Sequence, residues 1–168
     1  MAWMSPEQIG EMGFARVGEK VFLSDKASYY NCANIKIGSN VRVDDFCVLS
    51  AGAGGIVLGD YIHISVYASL IGQGKIDLSD FAGLSSRVAI YSSKDDYSGA
   101  TLTNPMIPAI YSGVTHADVF LSKHVIVGAG SILLPGITLH EGTAVGALSL
   151  VNKDRESFGI YSGVPAKR

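Results

Sequence analysis

The sequence is poor in the residues that build several common protein classes. It contains 2 Cys among 168 residues, and Cys32 and Cys47 form neither a CxxC metal pair nor a disulfide framework, which fits a reducing compartment. Lys and Arg number 13 against 15 Asp and Glu, so the basic surplus that binds nucleic acid or an anionic membrane surface is missing. A hydrophobic content of 48% excludes general disorder.

Long apolar runs are also missing. No segment approaches the roughly 18 apolar residues of a membrane span, and the opening MAWMSPEQIGEM lacks the basic and apolar regions of a secretion signal. The sequence therefore predicts one domain in the cytoplasm, without a membrane span and without a nucleic-acid partner.

A period of six residues runs through most of the chain. Units such as VGEKVF from Val17, IGSNVR from Ile37 and LGDYIH from Leu58 share an aliphatic first residue and an aliphatic fifth residue. This spacing fits neither the helical period of about 3.6 nor the alternation of a hairpin strand, and it indicates a short strand followed by a tight turn. A β-sandwich would instead show alternating strands at intervals of roughly 8–12 residues.

The units fall into groups of three, which predicts a three-sided coil. Slack of two or three residues occurs between the first four groups, as expected if one corner of each coil tolerates a longer turn. The first residues of the groups are Val17, Leu23, Tyr29; Ile37, Val43, Leu49; Leu58, Ile64, Leu70; Leu78, Leu84, Ile90; Leu121, Val127, Leu133; and Leu139, Val145, Val151. We predict an all-β fold, a parallel β-helix of about six triangular coils whose stacked first residues form the core.

Two stretches lie outside the repeat. Residues 1–16 form a predicted N-terminal capping segment, in which Ser5 suits the N-cap and Pro6 the first position of a short helix. Residues 17–168 form the predicted β-helix domain, and a projecting loop at 91–120 interrupts its register. Long ordered loops are usually functional.

The chain resembles the hexapeptide-repeat acyltransferases, in particular the galactoside and maltose O-acetyltransferases and the sugar acetyltransferases of surface-polysaccharide pathways. The most specific segments are VGAGSILLPGITL from Val127, AVGALSLVNKD from Ala144 and GVPAK from Gly163. The resemblance implies a left-handed β-helix, a handedness that the repeat alone does not give. It also implies a homotrimer with active sites in clefts between subunits, and acetyl-CoA as the co-substrate.

The resemblance further implies residues that bind the coenzyme. Ala129, Ala147 and Asn152 would lie beside the pantetheine arm or the adenine, and Lys153 and Lys167 would approach the phosphates. Both assignments have an alternative. Ala129 and Ala147 are small residues that the coil itself requires, and Lys153 and Lys167 are equally explained as solvated surface charges.

The interrupting loop carries the patterns DDYSG and TNPxxP, which are typical of the polysaccharide-pathway members. By that likeness the loop covers the acceptor site, and Asp95, Asp96 and Tyr97 are predicted to contact the acceptor. The alternative is an arm that only packs subunits together, with its aspartates serving ordinary turns.

Acyl transfer from a thioester to a hydroxyl or an amine needs a base, and histidine suits that task near neutral pH. The galactoside and maltose enzymes carry their catalytic histidine early in the loop, where this chain has Ser92–Asp96 and no histidine. His63 lies at a coil corner, with Gly83 one coil later leaving space beside it, and a histidine recurs in YIHIS-like segments of members with the DDYSG loop. We therefore predict His63 as the base, with His116 as the alternative and Asp95 or Asp96, from the same or an adjacent subunit, as the group that orients it.

The reaction expected is direct attack in a ternary complex, because Cys47 occupies an inward slot and Cys32 has no base nearby in sequence. The acceptor is expected to be a sugar or nucleotide sugar of surface-polysaccharide or lipopolysaccharide biosynthesis, acylated on oxygen or on nitrogen. Two other functions use the same fold. A γ-type carbonic anhydrase needs three histidines on zinc, and the nearest pair here, His116 and His124, is eight residues apart, so no metal site is predicted. A non-catalytic scaffold would bind no coenzyme.

Overall fold

The computed structural model describes residues 2–168, and the chain forms a left-handed parallel β-helix with three faces. Face 1 consists of the strands Arg16–Val17, Ile35–Ile37, Ile56–Leu58, Ile76–Leu78, Val119–Leu121 and Thr138–Leu139. Face 2 consists of Phe22–Leu23, Arg42–Val43, His63–Ile64, Gly83–Leu84, Ile126–Val127, Ala144–Val145 and Ile160–Tyr161. Face 3 consists of Ser28–Tyr30, Val48–Ala51, Ser69–Gly72, Ala89–Tyr91, Ile132–Leu133 and Leu150–Val151.

The register between coils confirms the predicted groups of three. On face 2, Val43 pairs with Ile64, and Ile64 pairs with Leu84. These side chains are buried inside the prism, and full burial of one such aliphatic side chain contributes about 1.5–3 kcal/mol. The outward neighbours on each short strand stay accessible, and the stacking of the inward residues sets the height along the prism at which each outward residue lies.

The turn that follows each face 2 strand forms the second corner of the prism. It comprises residues 45–47, 66–68, 86–88, 129–131 and 147–149 in successive coils. Each coil is tied to the next by a main-chain hydrogen bond at this corner, for example from Gly130 N–H to the Ser86 carbonyl at 2.9 Å. Phe46 and Tyr67 stack there with ring centroids 5.0 Å apart, and the Arg87 guanidinium lies 5.2 Å from the Tyr67 ring. The corner is therefore a continuous, closely stacked edge.

A short helix closes the first coil, as the sequence predicts. It spans Pro6–Glu11, with Ser5 at the N-cap, and Ser5 and Gln8 exchange hydrogen bonds in a capping box. Ile9 is buried against the core. The helix covers apolar side chains that the first coil would otherwise expose.

The structure adds a seventh, partial coil to the six that the repeat predicts. Arg155 bridges to Leu139, and Ile160–Tyr161 pairs with Ala144–Val145. Arg155 and Tyr161 thus take the places of two successive aliphatic residues, which explains why the six-residue pattern did not reveal this coil.

The projecting loop is shorter than the predicted 91–120, because Tyr91 completes a face 3 strand and Val119–Leu121 belongs to face 1. Its two ends pair as antiparallel strands, Ser93–Lys94 with Thr115–His116. The described residues also contain short 3₁₀ turns at Cys32–Asn34 and Ala109–Tyr111. None of the helices among residues 2–168 has the length and apolar character needed to cross a bilayer.

Candidate active site

His63 lies on the outer surface of face 2, in the strand His63–Ile64, and not at the predicted coil corner. The adjacent Ile64 points into the core, so the alternation of the strand directs His63 outward, where half of its side chain is exposed. In register, His63 lies between Arg42 on one coil and Gly83 on the next. A β-carbon at Gly83 would meet no atom within 4 Å, so open space lies beside the imidazole.

A buried carboxylate orients His63. Asp44 Oδ2 lies 2.9 Å from His63 Nε2, and Asp44 Oδ1 lies 2.6 Å from Arg42 Nε. The Asp44 side chain is only 4% exposed, and burial alone raises the pKa of a carboxyl group, but hydrogen bonds from His63 and Arg42 outweigh it and hold the pKa of Asp44 below its usual value.

The ionised state of Asp44 fixes the tautomer of a neutral His63. A carboxylate can only accept hydrogen bonds, so the proton between the two groups belongs to His63 Nε2. The lone pair of neutral His63 is then on Nδ1, which is the nitrogen able to take a proton from a substrate. The arrangement is that of a general base held by a carboxylate.

A cavity of about 350 Å³ adjoins the imidazole, and we call it the His63 cavity. Its lining combines the imidazole with hydroxyl groups and apolar surface. The lining residues are His63, Ser65, Gly83, Leu84, Ser85, Ser86 and Ile126. Ser65 and Ser85 each follow an inward aliphatic residue of face 2, the same position that Asp44 occupies one coil before Ser65 and two coils before Ser85. The cavity can hold a small polar group next to the base.

Sequence reasoning missed Asp44 and the serines. The prediction that Asp95 or Asp96 orients the base relied on the loop, whereas within one chain the imidazole bonds to Asp44. The sequence did contain a signal for Asp44. The grouping into coils places Arg42 beside His63 and Asp44 beside Ser65, so Asp44 lies within two residues of the neighbour of His63.

The loop residues predicted to contact the acceptor lie beside face 3. Asp95 and Tyr97 line a groove of about 690 Å³, the loop groove, whose other wall includes the face 3 residues Ile132 and Leu150. Asp96 accepts hydrogen bonds from Ser98 and Thr101, which lower its pKa. Its carboxylate therefore also shapes its own loop.

His116, the alternative base, lies at the root of the loop and not in the His63 cavity. Its Nδ1 is 2.8 Å from the Ser93 hydroxyl, which accepts a hydrogen bond from the Gln73 N–H. The two other histidines serve the coil: His124 stacks on Phe81 with centroids 5.0 Å apart, and the main-chain carbonyl of His140 accepts a bond from Thr143.

The residues predicted to bind the coenzyme begin directly above the His63 cavity. At the second corner, the Gly130 N–H bonds to the Ser86 carbonyl, and the Leu148 N–H bonds to the Ala129 carbonyl, both at 2.9 Å. These bonds stack the Ser86, Ala129 and Ala147 turns in one column. The first residue of each turn is small, and the exposed Arg87 and Leu148 follow it in the first and third of these turns.

The polar residues predicted to bind the coenzyme lie further along those coils. Asn152 and Lys153 follow the last face 3 strand, and Lys167 exchanges main-chain hydrogen bonds with Ser162. Both lysines are exposed, and neither forms an ion pair within residues 2–168. Among residues 2–168, no three His, Cys, Asp or Glu side chains come close enough together to hold a metal ion.

No protein-family model matches the chain. The dTDP-4-amino-4,6-dideoxy-D-glucose acyltransferase of Escherichia coli is 57% identical to it over 99% of this chain and 87% of the relative. A variant of AntD, an N-acyltransferase from Bacillus cereus in complex with dTDP and coenzyme A, matches with a TM-score of 0.95 and 44% identity, over 99% of this chain and 89% of AntD.

Other AntD structures contain dTDP-4-amino-4,6-dideoxyglucose with coenzyme A, or dTDP with 3-hydroxybutyryl-CoA. A maltose O-acetyltransferase from Clostridium difficile 630 matches with a TM-score of 0.63 and 21% identity, over 96% of this chain and 71% of that enzyme. That likeness concerns the fold alone.

Proposed function

The chain belongs to the hexapeptide-repeat family of sugar acyltransferases, and we propose that it transfers an acyl group from acyl-CoA to the 4-amino group of a dTDP-linked 4-amino-4,6-dideoxyhexose. The acceptor is suggested by the 57% identity to the E. coli enzyme of that name and by the AntD complex with this nucleotide sugar. Family membership favours an enzyme over the scaffold and the zinc enzyme that share the fold.

One observation carries the catalytic part of the proposal. His63 is held at 2.9 Å by the ionised Asp44, beside a cavity lined by hydroxyl groups and open above Gly83. The column of Ser86, Ala129 and Ala147 leads from this cavity, so a pantetheine arm along the second corner would bring its thioester to the imidazole.

The reaction needs a neutral amine in the His63 cavity. Its nitrogen attacks the thioester carbonyl carbon, a C–N bond forms, and the tetrahedral intermediate collapses as the C–S bond breaks. Nδ1 of His63 takes the proton that the amine loses and returns it to the departing thiolate, so that the amide and the free thiol of CoA leave. Asp44 stays ionised and stabilises the transient imidazolium.

Hydrogen-bond donors near the cavity have two roles in this proposal. The hydroxyls of Ser65 and Ser85 can hold the sugar, and the Ser86 turn can donate to the oxyanion of the tetrahedral intermediate. Lys153 and Lys167 remain the proposed partners of the coenzyme phosphates.

We also propose that the enzyme works as a homotrimer. Its loop exposes several large apolar side chains, among them Met106, Ile110 and Tyr97, which is 90% exposed. Exposed apolar residues concentrated on one projecting segment are typical of a surface that another subunit covers. In a trimer the loop of one subunit could cover the His63 cavity of the next and bring Asp95 to the acceptor.

The cellular role proposed is the supply of an acylated sugar for a surface polysaccharide, such as lipopolysaccharide, in the cytoplasm. Both cysteines are free, as expected in a reducing compartment.

The test is a thiol-release assay with acetyl-CoA and 3-hydroxybutyryl-CoA, and mass spectrometry of the product. The acceptors are dTDP-4-amino-4,6-dideoxyglucose, the corresponding dTDP sugar with a 4-hydroxyl group, and the free amino sugar without dTDP. We expect a one-acyl mass increase with the dTDP amino sugar and weak or no turnover with the other two. Equal turnover of the 4-hydroxyl sugar, or no release of CoA with any acceptor, would refute the proposal.

Three histidine variants test the base. His63→Ala should lower kcat at least about a hundredfold with CoA affinity retained, which is the scale of losing a general base. His140→Ala removes a histidine outside the cavity and should keep full turnover. Loss of turnover in His116→Ala alone would assign the base to the loop instead.

A further inference from the structure

The segment before the capping helix lies against the face 2 strand of the first coil, Phe22–Leu23. Trp3 forms an antiparallel bridge with Ser24, and main-chain hydrogen bonds run from Met4 N–H to the Leu23 carbonyl at 2.9 Å and from Asp25 N–H to the Ala2 carbonyl at 3.1 Å. These bonds fix the main chain on both sides of Trp3. Its indole is therefore held on the outer surface of face 2, the face that carries His63.

The indole contacts Arg42. The centre of the Arg42 guanidinium lies 5.3 Å from the Trp3 ring centroid, and the Phe22 ring meets the edge of the indole with centroids 5.9 Å apart. Arg42 Nε is in turn 2.6 Å from Asp44 Oδ1, and Asp44 Oδ2 is 2.9 Å from His63 Nε2. A continuous chain of contacts thus joins Trp3 to the proposed base through Arg42 and Asp44.

The conformation in which Arg42 meets Asp44 has to be stabilised by further contacts. About half of the Arg42 side chain is exposed, and an exposed ion pair gains little because its long side chain samples many conformations. An aromatic face beneath the guanidinium attracts the cation and restricts those conformations. Trp3 therefore favours the conformation in which Arg42 meets Asp44.

The position of Arg42 matters for the proton affinity of the site. The hydrogen bond and the charge of Arg42 help to hold the pKa of Asp44 below its usual value, so the carboxylate that orients His63 stays ionised to a lower pH. If Arg42 moves away, the pKa of Asp44 rises, and the carboxylate loses its charge at a higher pH.

We propose that Trp3 is a positioning residue for the acyl transfer, acting through Arg42 and Asp44 on His63. This inference rests on the proposed function of His63 as the base. A role in covering the core alone explains the indole poorly, because Trp3 is 37% exposed and the buried contact of the capping segment comes from Ile9.

The test measures kcat/KM against pH for the full chain and for Trp3→Ala. The acidic limb of the profile should move to higher pH by about 0.3–0.7 units, with a two- to fivefold loss of kcat/KM on that limb, the scale of one partly exposed cation–aromatic contact. KM for acyl-CoA should not change. Trp3→Phe keeps an aromatic face and should restore most of the profile.

A matched control is Phe120→Ala. Phe120 is also 37% exposed and also carries a cation, Lys75 Nζ, at 5.6 Å from its ring, but it lies on face 1. Its profile should coincide with that of the unmodified chain. Arg42→Gln, which removes the charge and leaves the first coil intact, should shift the limb in the same direction as Trp3→Ala and decides the matter if Trp3→Ala does not fold.

The outcomes separate this inference from the proposed function. If His63→Ala abolishes turnover while Trp3→Ala and Arg42→Gln keep the unmodified profile, the role of Trp3 is refuted and His63 remains the base. If Trp3→Ala lowers thermal stability, and also lowers kcat by the same factor at every pH, then Trp3 has only a structural role. If His63→Ala retains turnover, both the base and the positioning role fail.

Discussion

Replacing Asp44 by Asn tests whether the hydrogen-bonded pair of Asp44 and His63, the dyad, contributes to catalysis. Asn is nearly isosteric with Asp, so the fold should persist, but the amide carries no charge to stabilise an imidazolium. A hydrogen bond to a charged group contributes about 1.5–3 kcal/mol, which corresponds to roughly a ten- to 150-fold change in rate. Asp44 is 4% exposed but His63 is half exposed, so we expect a kcat loss near the lower end, about ten- to thirtyfold.

The assay is steady-state thiol release in four proteins: the unmodified chain, Asp44→Asn, His63→Ala and the double variant. If Asp44 acts through His63, then Asp44→Asn should cost nothing further once His63 is already Ala. A multiplied loss in the double variant would show that Asp44 contributes independently of the imidazole, and the dyad interpretation would be wrong.

The same variant predicts a change in pH-dependent stability. The pKa of Asp44 is lowered in the folded chain, so its contribution to the free energy of unfolding is fully present above the pKa of an unfolded aspartate, about 3.9, and is lost as the pH falls through the lower folded value. Urea unfolding should show a difference between the unmodified chain and Asp44→Asn at pH 6 that shrinks below pH 4. A constant difference across this range would contradict the lowered pKa of Asp44.

Three further predictions concern the cavity, the core and the thiols. Gly83→Val should fill the open space beside His63 and therefore raise KM for the acceptor or lower kcat/KM at least about tenfold. The melting temperature should stay close to that of the unmodified chain, because a β-carbon at this position meets no atom within 4 Å. Ile64→Ala should lower the free energy of unfolding by about 2–5 kcal/mol in urea titrations, because Ile64 is fully buried; a loss under 1 kcal/mol would mean that the coil collapses around the gap. Cys47→Ala should keep turnover, because burial raises the pKa of the Cys47 thiol to about 11, and a thiol reagent at pH 8 should label Cys47 only after unfolding; a stable acyl adduct on Cys47 would overturn direct transfer.

The fold was predictable because the core repeats. Each first residue of a hexad needs the same neighbours above and below it, so the periodicity of Val43, Ile64 and Leu84 alone gives the register between coils. The seventh coil escaped because the residues in register with Leu139 and Val145 are Arg155 and Tyr161, and neither is aliphatic. Tyr29 was recognised only because the aliphatic Val17 and Leu23 precede it in the same group.

Outward side chains are harder to predict, because no repeated burial constrains them. The register placed Gly83 beside His63 correctly, but the contact from His63 to Asp44 is diagonal and joins residues 19 positions apart. A diagonal contact depends on side-chain conformation, which the hexad pattern does not specify. For this reason the sequence pointed to His63 and not to the carboxylate that holds it.

The loop shows the limit of pattern reasoning most clearly. Asp95 and Asp96 are adjacent in sequence and look equivalent as partners for a base. In the structure Asp96 accepts three hydrogen bonds from Ser98 and Thr101, whereas Asp95 lines the loop groove. Of the two residues, Asp95 is the one that lines the groove, so in the proposed trimer Asp95→Asn should raise KM for the amino sugar, while Asp96→Asn should act mainly by loosening the loop. Limited proteolysis distinguishes the two, since faster cleavage within 95–114 is expected for Asp96→Asn alone, and equal cleavage of both variants would show that the two carboxylates share the structural role.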